Sequence, residues 1–509
     1  MKTKTKSFVC ELPLDPTRED ERRLFVCFEV ARQIYNACLG EGLRRLRLMR
    51  ESRDWQRARA LPKGHERSTL FRSCTIRFGF REYDLHAYAK QFNRGWLGQH
   101  IDINTIQKLA TRAYCSLKEH MFGKRGRPRF KGYRGLQSVE GKTNASGIRW
   151  RDGVVHWKGL SLQALLDPQD KAGWQAEALS RRTKYCRIVR RQVRGKTRWY
   201  VQLVQVGLPP PKQHERTKAV VGLDVGPSTI AVVGEQRAVL ERFCPSVEQP
   251  WRQTRRIQRA MDRSRRSTNP DNYNPDGTVK PGRKRWNRSE RYKRLAAQRA
   301  ENERRLAAER KRAHGELSNR ILALGTTVRT EKLSYRSFQK NFGRSVKVRG
   351  PGMLIDMLRR KAESAGGQLE EFPTQPTKLS QVCHGCGQTK KKPLSLRTHE
   401  CECGVGPVQR DLYSAFLACF VSQAKLNARQ AQEAYPAAEP LLRRAALSFN
   451  QSASRRASAA SRVNTDVRAD RPSKGVRKAS RPQTSYRRGS HVREGCGEMR
   501  SVSSRTPGL

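Results

Sequence analysis

The sequence predicts a multidomain α/β protein that also contains an antiparallel β-barrel. Its 509 residues are enough for about three hydrophobic cores. The stretch "AVVGLDVGPSTIAVVGE" has the pattern of two apolar strands joined by a glycine-bearing turn, and long helical patterns follow it. Between residues 135 and 207 apolar and polar side chains alternate, as they do in antiparallel strands. A barrel is therefore expected ahead of an α/β domain.

The N-terminal part is predicted to be a barrel into which a helical bundle is inserted. Residues 1–16 are expected to supply the first barrel strand. Leu24 and Phe28 begin a helical spacing of apolar residues, which predicts a basic helical bundle over 17–130. The stretches "IRWRDGVVHW" and "YCRIVRRQVRGKTRWYVQLVQV" alternate around turn residues, so 131–210 is expected to complete the barrel.

The α/β domain is predicted to be discontinuous along the chain. It begins at 216–375 and is completed by a final helix at 409–430, with a cysteine-bearing segment at 376–408 between the two parts. Within the first part, 251–324 has the pattern of a long basic helical hairpin broken at "NPDNYNPDGTVKPG". Residues 431–509 are rich in Ala, Ser and Arg and are predicted to form a disordered basic tail.

The charge balance points to a nucleic-acid partner. Lys and Arg number 105 against 46 Asp and Glu, which gives a formal net charge of +59. Charge of this size opposes compaction unless a polyanion neutralises it, and nucleic acid does so through phosphate contacts. A merely soluble surface explains the excess less well, and no long apolar run suggests a membrane partner. The start "MKTKTKSFVCELPLD" lacks the apolar core of a signal peptide, so a reducing compartment is expected.

Two close cysteine pairs predict a metal site. The motifs "CHGC" and "CEC" are separated by a short basic segment, a spacing that suits a closed tetrahedral thiolate site for one structural Zn²⁺. His384 and His399 are expected to be bystanders, because four thiolates already complete the shell. The predicted zinc ligands are Cys383, Cys386, Cys401 and Cys403.

Three acidic residues stand out by position. Asp224 follows the apolar run "AVVGL", Glu331 ends the strand pattern "TTVRTE", and Asp411 begins the helix pattern "DLYSAFLACF". Two carboxylates at strand ends and one on a helix can meet at one edge of a sheet, where their hard oxygens suit Mg²⁺. Two such ions about 3.5–4 Å apart support phosphodiester hydrolysis. We therefore predict a catalytic site for two Mg²⁺ ions at these acids.

One alternative uses the same first motif. "GLDVGPSTIAVV" is also similar to the first phosphate loop of the actin and sugar-kinase folds, which hold ATP. Such a fold needs a second glycine-rich phosphate loop downstream, and the sequence from 325 to 420 has none. The metal-dependent site is therefore preferred.

Taken together, the motifs resemble the TnpB family, transposon-encoded RNA-guided nucleases related to the type V CRISPR effectors. "GLDVG" is similar to the first RuvC motif, "RTEKLS" to the second, "CHGC…CEC" to the inserted zinc ribbon, and "QRDLYSAFLA" to the third. More weakly, "IYNACL" resembles the first recognition helix and "GRPRFKGY" the basic loop before the barrel. The resemblance implies an RNase H-like RuvC domain with a zinc-ribbon insertion, preceded by a wedge barrel with a recognition bundle.

The resemblance also implies the activity. The three acids would be the metal-binding catalytic residues of a DNA endonuclease, and a guide RNA would select the target DNA together with a short flanking motif. The expected location is the prokaryotic cytoplasm, in association with the nucleoid. Two positions depart from the family pattern: Gln409 stands where an Asp is common, and Tyr413 where an Asn is common.

Three other functions remain open. A guide-dependent DNA-binding repressor would share the architecture but would be expected to lack a catalytic acid. An RNase H-fold transposase or recombinase would act on defined DNA ends without a guide. A basic packaging protein would need neither the three acids nor the zinc ribbon.

Overall fold

The computed structural model describes residues 5–170, 173–210, 217–247, 251–393 and 396–469, and from residue 453 onward, apart from Ser454, it covers the backbone alone. None of the described helices combines the length and the apolar character needed to cross a bilayer. The described helices are α1 (Arg18–Glu51), α2 (Arg53–Ala60), α3 (His65–Arg77), α4 (Glu82–Lys90), α5 (Leu97–His100), α6 (Ile103–Met121), α7 (Trp174–Ser180), α8 (Trp251–Thr268), α9 (Glu290–Leu324), α10 (Tyr335–Arg349), α11 (Pro351–Ser364), α12 (Thr374–Thr377), α13 (Arg410–Ala418) and α14 (Ala428–Ala469). The described strands are β1 (Ser7–Leu14), β2 (Ser138–Glu140), β3 (Arg149–Arg151), β4 (Val154–Trp157), β5 (Leu160–Gln163), β6 (Thr183–Val193), β7 (Lys196–Val206), β8 (Val220–Val225), β9 (Thr229–Val233), β10 (Ala238–Arg242), β11 (Thr327–Glu331), β12 (Gln368–Phe372), β13 (Thr398–His399), β14 (Val408–Gln409), β15 (Val421–Ser422) and β16 (Lys425–Leu426).

Helix α1 organises the N-terminal bundle. Thr17 caps it: its hydroxyl accepts the N–H of Asp20, whose carboxylate in turn accepts the N–H of Thr17. This reciprocal capping satisfies two backbone donors that the helix itself cannot pair. The buried stripe of α1, which includes Leu24 and Phe28, packs against α6 and shares one core with the neighbouring sheets. The helical character predicted for this part of the chain is therefore present.

The strands around the bundle form two antiparallel sheets. One has the order β1-β7-β6-β2, and the other has the order β3-β4-β5. Strand β1 pairs with β7 from Ser7 opposite Val206 to Leu14 opposite Trp199, so the first strand joins strands almost two hundred residues later, as predicted. The described ladders do not close into one barrel, and the two sheets are connected by an isolated antiparallel bridge between Leu14, at the end of β1, and Ala164, just after β5. The closed barrel stays a prediction.

The second half of the chain is built on a five-stranded mixed sheet. Its order is β10-β9-β8-β11-β12, with β8, β9 and β10 antiparallel and β11 parallel to both β8 and β12. Along β9, Val232 belongs to the core shared with α9 and α11, whereas its neighbours Ala231 and Val233 belong to the core shared with α13 and α14. Helices therefore cover both faces of this sheet.

A long helical hairpin connects β10 to β11. Helices α8 and α9 pack on each other and are joined by an irregular tip that includes the Asn/Pro/Gly-rich motif. At the base of the tip, the side-chain carbonyl of Asn269 accepts the N–H of Asn287 at 2.6 Å. The hairpin predicted from the sequence is present, and most of its Arg side chains face outward.

The C-terminal part corrects two expectations. The final helix predicted to extend to 430 ends at Ala418, because α13 is followed by the small β15–β16 hairpin. The prediction of disorder from 431 is wrong up to residue 469, where α14 continues. Its residues Tyr435 and Leu442 are buried in the core beside β10 and α13, and this packing supports a helix with two internal prolines. The predicted tail from 470 to 509 lies outside the described residues.

Candidate functional site

Asp224 and Glu331 lie side by side at the ends of two neighbouring parallel strands. In the ladder between β8 and β11, Leu223 is opposite Thr330, and each of these residues is followed at once by one of the acids. Strand β11 ends at Glu331, as predicted, and β8 continues one residue past Asp224, to Val225. Both acids are half-buried. Two carboxylates thus share one edge of the sheet.

Asp411 reaches the same edge from α13. This helix packs on β8 and β9, and Asp411 lies in its first turn. The hydroxyl of Thr229, the first residue of β9, lies 3.4 Å from Oδ2 of Asp411. Thr229 follows β8 after a tight turn in which the N–H of Gly226 donates to its carbonyl at 3.0 Å. The third acid is therefore held beside the turn that follows Asp224.

Gly222 allows α13 to approach the sheet so closely. A Cβ atom at this position would lie 1.8 Å from the backbone carbonyl oxygen of Ala415 and 2.8 Å from Sγ of Cys419. The backbones of β8 and α13 are thus in direct contact, which only a residue without a side chain permits. Because Gly222 is two residues before Asp224 and Ala415 is four after Asp411, this contact fixes the two acids relative to each other.

Two of the three acids, Asp224 and Glu331, have raised pKa values. Burial raises the pKa of Asp224 well above its ordinary value, and the negative charges of Asp411 and Glu331 raise it further. Burial raises the pKa of Glu331 to about 7. Buried carboxylates that repel one another are stabilised either by protonation or by a bound cation. Their oxygens are the ligands that Mg²⁺ prefers.

Two arginines flank Asp411. Nη1 of Arg397 lies 3.5 Å from Oδ2 of Asp411, and Nε of Arg410 lies 3.7 Å from Oδ1. Arg410 is buried and donates through Nη1 to the carbonyl of Pro393, whereas the Arg397 side chain is 60% exposed. Arg410 matches the pattern of the third motif in the family that the sequence resembles, whereas Arg397 lies in the basic segment between the cysteine pairs and no motif indicated it.

Within the described ranges, the one group of three or more His, Cys, Asp or Glu residues placed so that it could hold a metal ion is the cysteine cluster, whose ligand atoms all lie within 4.8 Å of one another. The three acids do not form such a group in this structure. They line one edge together, but their role as a shared metal site remains a prediction.

The four cysteines meet as predicted. Sγ of Cys383 lies 3.5 Å from Sγ of Cys403, and Sγ of Cys386 lies 3.5 Å from that of Cys401. These separations are too long for disulfides, whose sulfurs are about 2.05 Å apart. Four sulfurs bound to one metal ion in a tetrahedron, with metal–sulfur bonds of about 2.3 Å, would lie roughly 3.8 Å apart. The two observed separations are close to this value. The donor set fits one Zn²⁺ ion.

The turns around the cysteines aim the sulfurs inward. The N–H of Gly387 donates to the carbonyl of Cys383 at 2.9 Å, and the N–H of Gly404 donates to that of Cys401 at 3.0 Å. Both glycines have positive φ, at 72° and 90°, a conformation that other residues rarely adopt. A backbone N–H at Cys403 helps to lower the pKa of the Cys401 thiol to about 7, which favours the thiolate form that binds metals.

Tyr413 connects both cysteine pairs to α13. Its hydroxyl accepts the backbone N–H of His384 at 3.0 Å and lies 2.8 Å from Nδ1 of the same histidine. Its fully buried ring stacks on His399 with the centroids 4.1 Å apart. The cluster of possible metal ligands contains neither histidine, and both histidines link the cysteine segment to the helix of Asp411. In the sequence, this role is indicated by the Tyr at position 413, where the family that the sequence resembles commonly has Asn.

Gln409 also has a structural role. Its side-chain Oε1 accepts the N–H of Leu412 at 2.7 Å and caps α13. An Asp could cap a helix in the same way, so the departure at this position preserves the start of the helix.

The part of the chain that contains the four cysteines matches a known protein family. Residues 352–416 match the family model described as Cas12f1-like, TNB domain. This match supports the resemblance to the TnpB and type V effector families and covers the four cysteines together with Asp411. No curated protein sequence matches the chain.

Two solved structures are similar at low identity. One is a cryo-EM structure of a Cas12f1–sgRNA–target DNA complex, with 12% identity, a TM-score of 0.40, and coverage of 81% of this chain and 98% of that one. The other is a cryo-EM structure of a CRISPR–Cas12f ternary complex, with 13% identity, a TM-score of 0.27, and coverage of 80% and 83%. Such TM-scores do not establish a shared overall fold.

Proposed function

We propose that the protein is an RNA-guided DNA endonuclease of the TnpB type, with an RNase H-like RuvC domain. The observation that carries the proposal is the juxtaposition of Asp224 and Glu331 on neighbouring parallel strands with Asp411 beside them on α13. The cysteine segment adjoins this edge, and its family model supports the same assignment.

The chemistry would be phosphodiester hydrolysis. Asp224, Glu331 and Asp411 would hold Mg²⁺, which would supply an activated water and stabilise the leaving oxygen. Burial and the charges of Asp411 and Glu331 raise the pKa of Asp224, and divalent cations would neutralise the negative charge of these acids. Arg397 is exposed beside Asp411 and can bind a phosphate oxygen of the substrate strand.

The partners would be a guide RNA and a target DNA. The net charge of +59 and the outward-facing arginines of the α8–α9 hairpin support binding to nucleic-acid backbones. Sequence choice would come from pairing between guide and target, with a short flanking motif read by the N-terminal half.

The presence of all three acids favours an enzyme over a guided repressor that binds without cutting. An unguided transposase or recombinase of the same fold would also use the acids. It differs in needing no RNA, so the RNA that copurifies with the protein separates the two.

The test uses the ribonucleoprotein purified from cells and a plasmid library. The plasmids carry a target complementary to the copurified RNA beside randomised flanking bases. Wild-type protein with Mg²⁺ should cut a subset that shares one flanking motif, and Asp224→Ala should abolish cutting while retaining the RNA. Asp356→Ala is the matched control, because Asp356 is an exposed acid on α11. Cutting by Asp224→Ala at the parental rate would refute the site, and copurified RNA of random sequence would refute guidance.

A further inference from the structure

A cavity of about 230 Å³ lies between α1, the basic segment 123–137 and β6, and none of its lining residues belongs to the three candidate catalytic acids or to the cysteine cluster. Aromatic rings and guanidinium groups form most of its wall. The lining residues that matter here are Phe25, Phe28, Trp96, Tyr133, Arg134 and Arg190.

The basic segment is fixed to α1 by hydrogen bonds to one residue. The side chain of Asn36 donates to the carbonyl of Lys131 at 2.9 Å and accepts its N–H at 2.8 Å. Nη1 of Arg32 donates to the same carbonyl at 2.9 Å. The wall of the cavity that this segment supplies is therefore held in place by side chains of α1.

One acid, Glu29, also lines the cavity and its charge favours protonated Arg190, but its carboxylate forms its ion pair with Arg32. The guanidinium of Arg134 lies 4.8 Å from the ring centre of Phe25, and that of Arg190 lies 5.6 Å from it. Arg190 is only 3% exposed, it donates to the carbonyls of Arg134 and Leu136, and its Nε has no hydrogen-bond partner in the described chain. No ion pair among the described residues includes either arginine. Two positive charges thus remain for an acceptor-rich ligand.

Two aromatic side chains are exposed at this cavity. Tyr133 is 74% exposed and Trp96 is 58% exposed. Arg134, next to Tyr133, has a φ of 53°, a conformation that is uncommon for a residue other than glycine. Exposed rings beside unpaired arginines form the kind of surface on which unstacked bases bind.

We propose that this cavity receives one unpaired nucleobase of a single strand. The rings of Tyr133 and Trp96 stack on the base, and Arg134 and Arg190 donate hydrogen bonds to its acceptor atoms. The phosphates on either side contact the basic residues of the segment 123–137. The site rests on the nucleic-acid binding part of the proposed function and is independent of the acids and of the zinc.

The experiment measures binding of the full-length protein, freed of copurified RNA, to labelled oligonucleotides of about twelve nucleotides. The probes are oligouridylate, oligothymidylate and an abasic strand of each type, without Mg²⁺ so that no cleavage occurs. The test variant is Trp96→Ala/Tyr133→Ala. The control variant is Tyr83→Ala, which removes an aromatic side chain that is 79% exposed and does not line the cavity.

The double variant should raise the Kd for a base-bearing strand about tenfold or more and leave the Kd for the abasic strand unchanged. Tyr83→Ala should change neither value. If the double variant binds only oligouridylate more weakly, RNA is the source of the base. If it binds only oligothymidylate more weakly, DNA is the source. An unchanged Kd, or equal weakening of base-bearing and abasic strands, would overturn the site. Wild-type protein that binds no strand at all would instead contradict the proposed function.

Discussion

The hydroxyl oxygen of Tyr413 lies 2.8 Å from Nδ1 of His384. His384 follows the zinc-ligand candidate Cys383, and Tyr413 is two residues after Asp411. The predicted metal cluster and the predicted catalytic helix are therefore joined by a buried hydrogen bond. A substitution at Tyr413 should therefore affect the cysteine cluster, and a substitution at His384 should affect α13.

Tyr413→Phe tests this connection. The variant keeps the ring that stacks on His399 but leaves the buried N–H of His384 unpaired, which costs about 1–3 kcal/mol. The thermal midpoint should fall, and a chelating dye should remove zinc faster than from wild type. Equal rates of zinc release would contradict the connection between the two sites.

Gly222→Ala should separate α13 from the sheet. The new methyl group would meet the carbonyl of Ala415, which cannot move without moving the helix. Cleavage should be lost together with several degrees of thermal stability. Gly343→Ala is the control, because a Cβ there meets open space. Wild-type cleavage by Gly222→Ala would show that α13 does not need this contact.

Removal of one candidate zinc ligand should lower both the zinc bound per chain and the yield of folded protein. Cys386→Ser should lower bound zinc below one ion per chain and reduce folded yield, because the segment between the cysteine pairs has little core of its own. Cys115→Ser changes an exposed cysteine outside the cluster and should leave both values at wild-type levels. Atomic absorption on the purified proteins measures the zinc. Full zinc occupancy in Cys386→Ser would refute the assigned ligand set.

The raised pKa of Glu331 predicts a pH dependence of the Mg²⁺ effect. Its folded-state pKa of about 7 lies above its ordinary value of 4.5, so the protonated form stabilises the metal-free fold at low pH. That contribution, up to about 3 kcal/mol, is lost as pH rises through 7. Mg²⁺ competes with the proton, so the rise in thermal midpoint on adding Mg²⁺ should be larger at about pH 8 than at about pH 5.5.

Glu331→Gln provides the check on this pH dependence. The amide cannot titrate, so the Mg²⁺-induced rise in thermal midpoint should become smaller and should vary less with pH. A Mg²⁺ effect in wild type that is the same at both pH values would contradict the assignment of Glu331 as a ligand.

The positions of the three acids could be predicted because each ends or begins an element with a clear local pattern. The apolar run before Asp224 and the strand before Glu331 stop at the acids, and the helix after Asp411 is almost wholly apolar. The cysteine cluster followed from spacing alone. In both cases the signal lies within a few residues of the site.

The rest depends on contacts between distant parts of the chain. Tyr413 meets His384 from 29 residues away, and no local pattern indicates which histidine it will bind. Helix α14 has two prolines and a sparse apolar stripe, so its sequence suggested disorder. Its order comes from the packing of Tyr435 and Leu442 on the sheet, a tertiary effect that outweighs intrinsic preference.

We propose that Asp224, Glu331 and Asp411 hold divalent metal. Anomalous scattering from crystals of the protein grown with Mn²⁺ locates the bound ion. We predict a manganese peak bounded by the three carboxylates in wild type and none in Asp224→Ala. Manganese bound elsewhere, with no peak among the three acids, would contradict it.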